Sequence, residues 1–95
     1  MDFRYYVDAE TGEPHVYEHD VTEEEVEYVL RHPGEDRPGS NGSRQALGQT
    51  AAGRYLRVIY VPDPGANSVF VITAYDLQGK SLQAFRRRRR RRGQK

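Results

Sequence analysis

The chain has 95 residues, 36% hydrophobic and 31% charged, which sets the scale of one small domain with one modest core. Its net charge of +1 hides an asymmetry: residues 1–85 carry all 14 acids against seven Lys and Arg, a net −7, whereas residues 86–95 carry eight basic residues. The absence of cysteine excludes a disulfide framework and a thiolate zinc site, no apolar run is long enough to span a bilayer, and MDFRYYVDAE lacks a signal-peptide h-region, so a cytoplasmic location without membrane contact is expected.

Phe3–Val7 is a short aromatic stretch that predicts a first strand. Asp8–Pro14 has turn composition, with Thr11-Gly12 as the reversal and Pro14 suited to opening a helical turn over His15–His19. Thr22 followed by Glu25 is a capping box, in which the threonine oxygen accepts an orphan N–H and the glutamate reaches back to the cap. Val21 and Val26 have the spacing of a hydrophobic staple, and Val26, Val29 and Leu30 form a narrow apolar stripe. Glu23, Glu24 and Glu27 face water, and Pro33-Gly34 stops the helix.

Glu35–Ser43 reads as a loop, Arg44–Thr50 as a strand interrupted by Gly48, and Ala51-Ala52-Gly53 as a three-residue hairpin turn. Arg54–Val61 and Val69–Tyr75 are rich in β-branched and aromatic residues and are separated by Pro62, Pro64, Gly65 and Asn67, so they read as an antiparallel pair. With the loop centred near Gly65, Leu56, Val58 and Tyr60 share an apolar face with Ala74, Ile72 and Phe70. The other face ends in Tyr55, Arg57, Thr73 and Tyr75, with Arg57 opposite Thr73 and Tyr55 opposite Tyr75. A helix from about Ser81 is anchored only by Leu82 and Phe85, so its arginine end is expected to fray. The expected organisation is one α+β domain over residues 1–85 and a flexible basic tail over 86–95. Arg44–Thr50 is the expected exposed edge of the sheet.

Three runs carry a resemblance. HVYEHDVTEEEVEYVL, from His15 to Leu30, is similar to the xxHGVTxEEVxxVL opening of BrnT-like small proteins. ALGQTAAGRYLRVIY, from Ala46 to Tyr60, is similar to their xLGRTxxGRxLxVVY core, and VITAY, from Val71 to Tyr75, to their next strand. BrnT proteins belong to the RelE-like toxin group. The resemblance therefore implies the order β-α-α-β-β-β-α, an antiparallel sheet of three to four strands with helices on one face, and metal-independent RNA cleavage that inhibits translation. It implies RNA or the ribosome as partner, an antitoxin protein as regulator, and no cofactor.

Such cleavage needs groups that hold a phosphodiester, stabilise charge on its oxygens and move protons. His19 matches the motif histidine and is the candidate general base, with Asp20 standing where the motif has glycine. Arg54 and Arg57 are candidate phosphate ligands, because a guanidinium fork pairs two oxygens. Tyr75 is the candidate for base stacking or proton transfer, and it occupies a position where BrnT proteins carry arginine. Arg86, Arg87, Arg88, Arg89, Arg90, Arg91 and Arg92 are candidate backbone contacts that position RNA without reading its sequence. His15 and His32 have no partners at metal-ligand spacing. Two other readings stand beside the ribonuclease. One is a non-catalytic module that keeps the fold and docks on RNA or an acidic partner through its tail. The other is a protein-binding module that pairs through its sheet edge.

Overall fold

The computed structural model describes residues 1–93, with side chains described through Arg91. The strands are β1 (Asp2–Tyr5), β2 (Glu35–Pro38), β3 (Arg44–Gln49), β4 (Tyr55–Pro62) and β5 (Ser68–Asp76). A 3-10 turn spans His15–His19, and the helices are α1 (Glu23–Arg31) and α2 (Gly79–Gly93). The α+β class expected from the sequence is present. The sheet, however, has five strands in the order β1-β5-β4-β3-β2, and the β1–β5 pair is parallel.

The expected α1 cap forms in full: Glu25 N donates to Thr22 Oγ1 at 3.2 Å, and Thr22 N donates to Glu25 Oε1 at 3.0 Å. Val21, Val26 and Val29 are buried with Val16 against Ala46, Leu56, Val58, Tyr60, Val71 and Ala74. Gly48 does not interrupt β3, and a Cβ there would lie 3.1 Å from Val29 Cγ1. Its missing side chain lets α1 approach the sheet.

Several expectations are corrected. The segment read as a loop contains β2, which pairs with β3 from Glu35↔Leu47 to Pro38↔Arg44. Its polar sequence has no apolar alternation to announce it. Asp36 instead accepts hydrogen bonds from the buried Tyr60 hydroxyl and from Arg44 Nε at 3.0 Å. Burial first, then that carboxylate, pushes the Tyr60 hydroxyl up to about 12. Arg44–Thr50 is therefore an inner strand, and the sheet edges are β1 and β2.

The β4–β5 register also differs. Arg57 lies opposite Tyr75 and Ile59 opposite Thr73, but Tyr60 lies opposite Val71, so Ile72 is the extra residue of a β-bulge. The bulge shifts alternation by one, and Val69 and Val71 face the core in place of Phe70 and Ile72. Finally, the helices do not share a face. Leu47 and Tyr55 alternate to the side opposite Ala46 and Leu56, and they pack with Leu77, Leu82 and Phe85 of the α2 region. The helix continues through the arginines to Gly93, while Gln94 and Lys95 lie outside the described residues.

Candidate functional site

The start of β4, the end of β5 and the end of the 3-10 turn bring three of the four predicted site side chains into one array. The Tyr75 ring lies at its centre, with the His19 ring edge-on at 5.8 Å and the Arg57 guanidinium over it at 5.9 Å. The shifted register produces this, because it places Arg57 directly across from Tyr75. Arg57 Nε is buried without a hydrogen-bond partner, as is Thr73 Oγ1 on the same face. A donor that has lost water and gained no acceptor is poorly satisfied until an anion or hydroxyl reaches it. A 260 Å³ cleft borders this array, with Arg57, Tyr75, Asp76 and Ser81 in its walls.

Arg54, the fourth predicted residue, is engaged differently. Its Nε donates to Asp76 Oδ1 at 2.7 Å, and its Nη1 donates to the Asp20 carbonyl at 2.7 Å and to Glu25 Oε1 at 3.1 Å. Its Nη2 donates to Asp76 Oδ2 at 3.3 Å and to the His19 carbonyl at 3.4 Å. Hydrogen bonding from Arg54, partly opposed by burial, holds the Asp76 carboxyl below its ordinary value. Arg54 thus clamps the backbone that carries His19 onto the end of the sheet. Asp20, at φ 58°, closes the 3-10 turn in the left-handed region, where glycine is the least strained residue and Asp is tolerated.

A histidine set aside in the sequence has a partner. His15 Nδ1 lies 3.0 and 3.1 Å from the two Asp8 carboxylate oxygens. A carboxylate only accepts, so Nδ1 carries the proton and Nε2 is turned away from Asp8. The His15 ring lies edge-on to His19 at 5.3 Å and to Tyr6 at 6.0 Å, beside a 590 Å³ cleft that Asp8 and Glu18 also line. The signal was present in the turn: Gly12 at φ 72° folds Val7 onto Pro14 in an isolated bridge, which brings Asp8 to His15.

The arginine run divides by role. Arg88 Nε and Nη2 donate to Glu35 at 2.6 and 2.9 Å, and Arg89 Nη1 donates to the Gly34 carbonyl at 3.1 Å. Phe85 fits against Gly34, where a Cβ would lie 2.6 Å from its Cζ. Arg86 lies over the Tyr55 ring at 5.8 Å. Arg87 and Arg91 are exposed, and the Arg92 side chain lies outside the described set. Among the described residues no helix is long and apolar enough to cross a membrane. Comparison with family models, with curated proteins and with solved structures gives no match to this chain.

Proposed function

We propose that the chain is an RNA-binding protein of the RelE/BrnT-like toxin type, a metal-independent endoribonuclease that inhibits translation and is held in check by an antitoxin protein. The observation that carries this reading is the His19–Tyr75–Arg57 array beside an unpartnered guanidinium Nε. The order of elements along the chain supports it, differing from the implied order by β2 alone.

In the proposed reaction the RNA 2′-hydroxyl attacks the adjacent phosphorus while the bond to the 5′-oxygen breaks. His19 accepts the 2′-hydroxyl proton, and His15 in its doubly protonated form, its Nδ1–H held by Asp8, gives its Nε2 proton to the departing 5′-oxygen. The products are a 2′,3′-cyclic phosphate and a 5′-hydroxyl. Arg57 balances charge on the phosphoryl oxygens, and Tyr75 stacks on a base. Arg54 serves as a positioning residue.

The test is single-stranded RNA incubated with the purified chain in EDTA, with the ends analysed chemically. Cleavage should give cyclic phosphate ends, and His19→Ala or Arg57→Ala should lower the rate by about 100-fold or more. A deoxyribose at the cleaved position should block the reaction. RNA that is bound but left intact would favour the non-catalytic reading, for which the docked arginine helix is the specific support.

A further inference from the structure

A second concave site shares no lining residue with the cleft beside Arg57. It is a cleft of 380 Å³ between the end of α1, the start of β4 and α2. Arg86, Arg89 and Arg90 recur at the spacing that puts three guanidinium groups on one helix face. Tyr55, Tyr28 and His32 supply aromatic walls, and no Asp or Glu lines the cleft. That is notable beside a body with a net charge of −7. None of Arg86, Arg89 and Arg90 forms a salt bridge with a carboxylate of the described residues. His32 is fixed by its contact with the Tyr28 carbonyl at 3.2 Å and by ring stacking at 4.6 Å.

Cations at one rim and π-faces in the walls are the two elements that hold a single-stranded nucleotide: phosphates meet arginine, and the base lies against a ring. We infer that this cleft, separate from the Arg57–Tyr75 array, docks a nucleotide of single-stranded RNA: Arg86 turns from the Tyr55 ring to join Arg90 on phosphate, and the base takes its place against Tyr55. This rests on the RNA reading above and narrows it, because two of the arginines are anchors. Arg88 is committed to Glu35, and Arg89 gives one nitrogen to the Gly34 carbonyl. The cleft therefore exists only while α2 is docked. Tyr55 and Arg57 point from the same strand face two residues apart, about 7 Å.

The discriminating experiment measures binding of a fluorescent oligouridine by anisotropy, using two charge-matched doubles. Arg86→Ala/Arg90→Ala removes cleft arginines, and Arg87→Ala/Arg91→Ala removes two exposed arginines outside the lining. Both keep Phe85 and Arg88, and circular dichroism checks that the helix persists. The cleft double should weaken binding at least tenfold, and the outer double less than twofold. Tyr55→Leu should cost at least fivefold with oligouridine and nothing with an abasic strand of equal length. Equal losses from the two doubles would mean diffuse attraction to a polyanion and would overturn the inference. RNA cleavage is read separately. Binding through the cleft without cleavage ends the ribonuclease reading alone, and cleavage with unchanged affinity of the cleft double ends this one alone.

Discussion

All three guanidinium nitrogens of Arg54 donate to protein oxygens, on three elements far apart in sequence. The partners Asp76, Glu25 and the Asp20 carbonyl stand at the end of β5, in the first turn of α1 and at the close of the 3-10 turn. A hydrogen bond to a charged group contributes more than a neutral one, and the Arg54 side chain keeps only 27% of its exposure. Arg54→Ala is expected to lower stability by about 2–3 kcal/mol, because Asp76 and Glu25 lose their shared cation. Arg54→Lys should recover only part, since the three N–H groups of a single ammonium nitrogen cannot span the acceptors that the five N–H groups of the planar fork reach. Urea unfolding of the three proteins checks this. A loss in Arg54→Ala below about 0.5 kcal/mol, the range of ordinary surface changes, would rule out the clamp.

At the scale of elements, what could be read in advance followed the physics of each segment. The α1 cap and staple are local, so Thr22, Glu25, Val21 and Val26 announced them, and the structure has them. The Gly53 hairpin was legible for the same reason. β2 was not, because Glu35-Asp36-Arg37-Pro38 lacks apolar alternation and depends on β3 and on Asp36 reaching Tyr60. The bulge at Ile72 was hidden because every residue from Val69 to Val71 is apolar on either face. The array at Tyr75 depended on that bulge, and the Asp8–His15 contact depended on a turn whose closure the sequence only outlined. α2 and its anchors Leu82 and Phe85 were readable, but the Arg88–Glu35 link was not, since those residues are 53 apart.

That docking gives a pH dependence. Hydrogen bonds from Arg88 hold the Glu35 carboxyl below its ordinary value, with burial opposing and Arg37 adding to the effect. A carboxyl depressed in the docked state stabilises docking above the unfolded glutamate value, and that contribution is lost as pH falls through the folded one. α2 should therefore loosen as pH drops below the ordinary glutamate value, about 4.3, and through the lower folded one. The NMR shifts of the Phe85 ring and Leu47 methyls report this directly. Glu35→Gln should show weaker docking at neutral pH and no acid step. An unchanged acid step in Glu35→Gln would assign it to another group.

Over the whole molecule, the charge asymmetry makes the approach of a polyanion directional. The body repels a polyanion and the arginine half of α2 attracts it, so encounter should favour the cleft that Arg86, Arg89 and Arg90 line. Counterion release makes the number of phosphates measurable. For a single strand the slope of log affinity against log salt is about −0.7 per phosphate neutralised. The cleft's two phosphate-facing arginines, Arg86 and Arg90, acting alone give about −1.4, and Arg57 as a third contact takes the slope to about −2. Arg57→Ala should then reduce the slope by about 0.7, whereas Arg87→Ala/Arg91→Ala should leave it unchanged. If all seven arginines neutralised phosphates the slope would be near −5, and the outer double would lower it as much as the cleft double. The measured slope therefore separates a helix that presents one face from a run of charge that acts as a whole. It also tells whether RNA reaches Arg57 in the same bound state.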